Sequence, residues 1–173
     1  MKKFELTSET KVIFGRTLHR IRALVAFGNV SAGELGGWVE NENNLDQSGD
    51  AWVYGNAEVY GDARVSGDAR VYGNARVSGD ARVYGRGSIF WISAIGSRNG
   101  TTTFFACKDK SVRVACGCFF GDLEQFAKKV KQTHGDNDHG KVYMLAIEMA
   151  KTRIDVSKVP EGEPEEDTNN AKL

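Results

Sequence analysis

The chain has 173 residues, and its 23 Lys and Arg are balanced by 23 Asp and Glu. That length allows one medium domain or a small repeat body with appended pieces, and the neutral balance points to neither a nucleic-acid nor an acidic partner. No apolar run nears the roughly 20 residues that span a bilayer, and the first residues lack the apolar stretch of a secretory leader, so neither a membrane role nor export is expected. Cys107, Cys116 and Cys118 are an odd number in a compact region, which reads as reduced thiols packed in strands in a cytoplasm-like compartment.

Residues 1–38 form the first unit. KVIF-GR-TLHRIRAL alternates apolar and polar residues about Gly15-Arg16, the pattern of a β-hairpin. Arg20 and Arg22 share a face of that hairpin with Leu18 and Leu24 and make a secondary basic site, open either to an anion or to ion pairs. A glycine-rich link, FGNVSAGELGGW, follows.

From Gly49 a six-residue phrase recurs: GDAWVY, GNAEVY, GDARVS, GDARVY, GNARVS, GDARVY and a degraded GRGSIF. Ala and Val lie two apart, so both point to one face of a strand. The inward set is then Ala51, Val53, Ala57, Val59, Ala63, Val65, Ala69, Val71, Ala75, Val77, Ala81, Val83 and Ile89. Gly with Asp or Asn at every sixth residue supplies corners, because both tolerate left-handed backbone angles. Such short strands with such short connections suit a β-helix, one phrase to a side. Three sides to a coil would stack Asn56 on Asn74, Asp50 on Asp68 and Asp62 on Asp80. On the outside, Tyr54, Tyr72 and Phe90 would form an aromatic ladder, with Trp52 over Arg70, Glu58 beside Arg76 and Arg64 beside Arg82.

The pattern resembles that of the hexapeptide-repeat β-helix proteins, in which an aliphatic residue is followed four positions later by a small one, as in Val71 to Ala75 and Val77 to Ala81. The likeness covers about 49–90, with Val39, Leu45 and Ile95 as possible extensions, so the β-helix is expected over 39–96. Here Tyr or Ser follows the aliphatic residue and Gly comes one later than is common in that family. The resemblance implies a short three-sided, left-handed helix. The wider layout, with LGGWVE leading into the repeats, resembles a bacteriophage and prophage group of such proteins. It implies a phage origin and the cytoplasm of a bacterial host, and no particular activity.

Residues 97–158 read as an α+β C-terminal cap, making the chain mainly β. TTTFFAC-KDK-SVRVACGCFF is a second hairpin about Asp109. Asp122 is a helix N-cap before Leu123–Thr133, with Leu123, Phe126 and Val130 at helical spacing. HGDNDHG brings His134, Asp136, Asp138 and His139 together and reads as an interhelical turn rather than a metal site. A second helix is expected from Lys141 to Asp155, with Val142, Leu145, Met149 and Ile154 as its apolar stripe. The acidic stretch 159–173 reads as a disordered tail.

Outward Trp52, Tyr54, Tyr60, Tyr72, Tyr84 and Phe90 are more aromatic surface than a short rod should show to water. Trp52, Tyr54, Tyr60, Tyr72 and Phe90 are therefore expected at an oligomer interface, most simply a homotrimer. Arg64 and Arg82, one strand spacing apart, with Arg70, Arg76, Tyr72 and Tyr84 around them, form the expected ligand site. Like charges set opposite each other need an anion or an acidic neighbour, and guanidinium forks with ring faces suit phosphates and nucleobases. No cofactor, metal or long nucleic acid is expected. The function expected is a non-enzymatic phage-type binding protein that blocks host antiviral defence by sequestering a nucleotide-like signal or binding a defence protein. A virion or assembly component is the alternative. An acyltransferase comes third, because His19, His134 and His139 all lie outside the repeats.

Overall fold

We describe residues 1–160 from a computed structural model. Strands β1 (Phe4–Ile13) and β2 (Arg16–Ala23) pair antiparallel. Their turn sits at Phe14 and Gly15, with φ of 50° and 76°, one residue before the position expected. Two left-handed residues in a row give the mirror-image turn whose twist matches the strands it joins. Strand β3 (Leu35–Val39) lies antiparallel to β2 and parallel to the repeat strand Glu58–Val59. The hairpin is thus continuous with the repeat. The pair Gly36-Gly37 in LGGWVE has a local cause: a Cβ at Gly36 would lie 2.6 Å from Ile21, and one at Gly37 2.7 Å from the Ala57 carbonyl. Only glycine lets β3 lie so close to its neighbours.

The repeat contributes six two-residue strands: β4 (Trp52–Val53), β5 (Glu58–Val59), β6 (Arg64–Val65), β7 (Arg70–Val71), β8 (Arg76–Val77) and β9 (Arg82–Val83). They pair in parallel as β4 with β7, β5 with β8 and β6 with β9, each partner eighteen residues further along. Every alanine and valine of the phrase from Ala51 to Val83 is 0 % exposed. Gly49, Gly55, Gly61, Gly67, Gly73 and Gly79 all have φ between 58° and 70°, so each phrase turns at a left-handed residue. Upstream the spacing widens to twenty, Val39 facing Val59 and Leu45 facing Val65. The two extra residues fall between Leu45 and Val53, which are eight positions apart where Val65 and Val71 are six; just ahead of them, buried Asn44 donates its side-chain amide to the Gly61 and Ala63 carbonyls, both at 2.9 Å.

Two expectations fail at the edges of the repeat. Trp52 is not an exposed ring but 0 % exposed, because Phe4 and Phe27 of the N-terminal segment meet it edge-on at 6.2 and 5.3 Å. The Lys3 ammonium holds that segment in place by donating to the carbonyls of Ser48, Gly49 and Ala51. At the other end the ladders stop after Val83, so Ile95 does not extend them. It belongs to β10 (Ile89–Ile95), which pairs antiparallel with β11 (Gly100–Ala106). Strands β12 (Val112–Cys116) and β13 (Phe119–Asp122) complete a four-stranded sheet. An antiparallel bridge from Ala81 to Cys107 joins this sheet to the last phrase.

The fold is mainly β, with two α-helices among the described residues. Helix α1 (Leu123–His134) starts in a capping box, where Asp122 accepts from the Gln125 amide at 2.7 Å. Helix α2 (Asp138–Arg153) is capped by Asn137 and starts three residues earlier than expected. Its expected stripe is mostly on the wrong face. Val142, Leu145 and Met149 are 37 %, 65 % and 51 % exposed, whereas Ala146, Ile147, Ala150 and Ile154 are buried with Phe104, Phe126 and Val130. Small Ala146 and Ala150 allow close approach to the sheet, which the larger side chains would prevent. Neither helix is long and apolar enough to cross a membrane. Val159, assigned to the tail, is buried at 3 %, and the rest of that stretch beyond Pro160 lies outside the described residues.

Candidate functional site

The six arginines and tyrosines expected to share one site are divided by the structure. Arg64 and Arg82 are in register as expected, but Arg82 is already engaged. Its Nη1 donates to the carbonyls of Asp62 and Ala81 at 2.8 and 2.9 Å. Burial, with Arg64 beside it, lowers its pKa below the usual guanidinium value. Arg76 stands 4.0 Å from Glu58, whose carboxylate also receives Lys11 at 2.8 Å, and its guanidinium lies over the Phe14 ring. Tyr84 is not a free ring face beside the arginines, since it packs into the C-terminal core and donates its hydroxyl to the Asp155 carbonyl. The secondary basic site is neutralised within the chain: Arg22 pairs with Glu5, and Arg20 lies 3.6 Å from Glu9 and over the Trp38 ring.

The expected aromatic ladder keeps two rungs and changes its third. Tyr54 and Tyr72 stack at 4.4 Å with planes 11° apart, the spacing of adjacent strands. The next ring along is Trp91 rather than Phe90, at 6.1 Å from Tyr72 and tilted by 37°. Phe90 turns to the other side of β10 and stacks on Phe104 at 5.7 Å. This swap follows from the end of the ladders: once β10 pairs antiparallel with β11, successive side chains no longer follow the phrase. Phe90 is therefore half-buried, with one face packed on its own chain, whereas Trp52 is fully buried. Tyr60 is half-buried beside the Arg16 guanidinium, 6.0 Å from its ring centre.

Arg70 and Tyr72 open onto a cleft of about 450 Å³ lined also by Arg86, Ile89, Phe90, Trp91 and Arg153. Its three guanidinium groups come from three places: strand β7, the degraded phrase after Val83, and the last turn of α2. Two hydrogen bonds, one of them between backbone groups, bring the last two together. The Asp155 amide donates to the Gly87 carbonyl at 2.9 Å, and Tyr84 holds the Asp155 carbonyl. Among the described residues no carboxylate lines the cleft, and none of the three arginines is in an ion pair with one. Arg70 lies 3.5 Å from the Tyr72 hydroxyl, a long and weak contact. That hydroxyl, with Tyr54 next, raises the Arg70 pKa further. The arrangement concentrates positive charge beside the rings of Tyr72, Phe90 and Trp91, side chains whose chemistry suits an anion attached to a planar group.

Sequence reasoning found Arg70 and Tyr72 and missed Arg86, Trp91 and Arg153. Arg86 stands in the phrase where the motif breaks down, which was a usable signal. Arg153 lies 83 positions from Arg70 in sequence and had none.

Several other reactive residues are held in structural contacts, whereas Cys118 is exposed rather than packed. His134 stacks on Tyr143 at 5.6 Å and meets His139 edge-on at 5.7 Å. Cys116 accepts from the Thr102 hydroxyl at 3.1 Å. Burial and the Asp80 carboxylate raise the Cys107 pKa well above that of an ordinary thiol.

No curated protein matches the chain. The repeat is similar to the YdcK beta solenoid repeat, whose family model matches residues 57–73 and 69–85, the stretch in which strand pairing advances by eighteen residues.

Proposed function

We propose that the chain is a non-enzymatic binding protein that holds a nucleotide-like anion in the cleft of Arg70, Arg86 and Arg153. The observation that carries this reading is the convergence of three arginines, with no lining carboxylate among the described residues, next to Tyr72 and Trp91. Like charges so placed repel until an anion joins them. A lining of guanidinium groups, rings and one isoleucine suits holding a ligand rather than transforming it. Calorimetry of the full chain against mononucleotides, cyclic nucleotides and ADP-ribose tests the proposal. Binding that is weakened by Arg70→Ala and by Arg153→Ala is expected, and no heat with any of these ligands refutes it.

The body carrying the cleft is, in this proposal, a three-sided left-handed β-helix closed at one end by the N-terminal hairpin and at the other by the α+β cap. The eighteen-residue register of the ladders supports three sides of six residues. A homotrimer is proposed as the assembly, built on Tyr54, Tyr60 and Tyr72, since Trp52 is buried within the chain and Phe90 packs on Phe104. Light scattering that returns the mass of a single chain refutes it. The biological setting, interference with host antiviral defence by sequestering such a signal, rests on the likeness of the LGGWVE layout to phage-encoded proteins.

A further inference from the structure

We infer that this cleft selects its ligand by the number of phosphates and the presence of a flat ring, and is indifferent to which base the ring is. The inference rests on the proposal that the cleft binds a nucleotide-like anion, and adds how it discriminates.

Reading a base edge takes side chains that both offer and accept hydrogen bonds in fixed geometry. Asn or Gln suits adenine, Asp or Glu suits cytosine, and Arg suits the O6 and N7 edge of guanine. Of these only Arg lines the cleft among the described residues, where the polar side chains are Arg70, Arg86, Arg153 and Tyr72, and in this proposal its guanidinium groups are taken up by the phosphates. The guanidinium groups only donate, and five N–H groups in a planar fork match phosphate oxygens two at a time. Among the described residues the Tyr72 hydroxyl is the sole side-chain acceptor in that lining, and Arg70 already approaches it at 3.5 Å. An amino group on a base therefore finds almost no side-chain acceptor, whereas each added phosphate finds a further guanidinium.

The ring contact is equally tolerant. One face of Tyr72 is taken by Tyr54 in a stack tilted by only 11°. Trp91 is tilted by 37° from Tyr72, so it lines the cleft without being stacked on that ring. Every nucleobase has a π-face, so stacking there favours a planar group without naming it.

The test is calorimetry on the full chain at about 0.15 M salt, an ionic strength that screens distant charges but not contacts. The ligands are adenosine, AMP, ADP, ATP, GTP, UTP and inorganic tripolyphosphate. Affinity is expected to rise about five- to tenfold with each phosphate from AMP to ATP, the range between an exposed and a well-formed charged hydrogen bond. ATP, GTP and UTP are expected within about fivefold of one another, and tripolyphosphate about tenfold weaker than ATP for want of a stacked ring. Arg153→Ala, an exposed change at the end of α2, should flatten the phosphate series while leaving the thermal melt unchanged. Trp91→Ala should remove the margin of ATP over tripolyphosphate, with circular dichroism checking the fold.

A more than tenfold preference among the three triphosphates overturns the inference and leaves the binding site standing. A flat phosphate series, or tripolyphosphate binding as tightly as ATP, does the same. No binding by any of the seven overturns the inference and the site together.

Discussion

Alanine at Gly49 and at Gly55 tests whether the corners of the repeat are stacked. Both residues are left-handed, with φ of 65° and 58°, but their surroundings differ: a Cβ at Gly49 would lie 2.8 Å from the Gly67 carbonyl oxygen, and one at Gly55 meets nothing within 4 Å. Left-handed geometry costs alanine about 1–2 kcal/mol, and the stiffer unfolded chain returns about 0.4–1 kcal/mol. Gly55→Ala should therefore lose about 1 kcal/mol. Gly49→Ala carries the same term plus a contact with backbone, which cannot swing aside, and overpacking of this kind costs about 1–3 kcal/mol. Its loss should be about 2–4 kcal/mol. For a chain of this size the melting temperature moves by about 2–4 °C per kcal/mol, so shifts of about 2–4 °C and 4–16 °C are expected. Urea unfolding followed by tryptophan fluorescence measures both, since Trp52 and Trp38 are buried at 0 % and 8 % exposure. Equal losses from the two substitutions would mean that Gly49 and Gly67 do not stack.

Helix α2 offers a clean contrast between two of its faces. Leu145→Ser, at a side chain 65 % exposed, should change stability by less than about 0.5 kcal/mol, whereas Ile147→Ala, at 1 % exposed, should lose about 2–5 kcal/mol in the same unfolding assay. Burial, with Cys116 next to it, pushes the Tyr143 phenol up to about 12. The folded chain then keeps that proton after an unfolded tyrosine, near 10, has released its own. The Tyr143 contribution is complete below pH 10 and fades as the pH climbs through 12, so Tyr143→Phe should flatten the alkaline fall of stability in a pH series of melts. Arg22→Ala breaks an exposed pair with Glu5 and should leave nucleotide binding unchanged by calorimetry, in contrast to Arg70→Ala.

The legible part of this molecule was whatever obeys a short period. The interior alanines and valines, the register of Glu58 with Arg76 and of Arg64 with Arg82, and both hairpins follow from alternation and turn chemistry. What escaped depends on contacts between segments distant in sequence. Nothing near Trp52 announces that Phe4 and Phe27 will cover it, and nothing in GRGSIF says that the next strand will pair antiparallel, moving Trp91 into the place of Phe90. The stripe on α2 was misread because apolar size was taken as the sign of burial. Against a crowded sheet the small Ala146 and Ala150 fit, and the bulky residues face outward. The candidate site suffered most, because two of its three arginines lie beyond the regular phrases and are joined by the tie between Gly87 and Asp155.

Because each strand meets a partner eighteen positions along, the repeat can change length only in whole steps. Excising eighteen residues from its middle would leave the two flanking regions facing one another as before, on a shorter axis. Removing six between Arg70 and Arg86 would break that match and carry Arg86 and Arg153 away from Arg70. Such a molecule changes its reach in quanta, and a single phrase gained or lost there parts one guanidinium of the cleft from the other two.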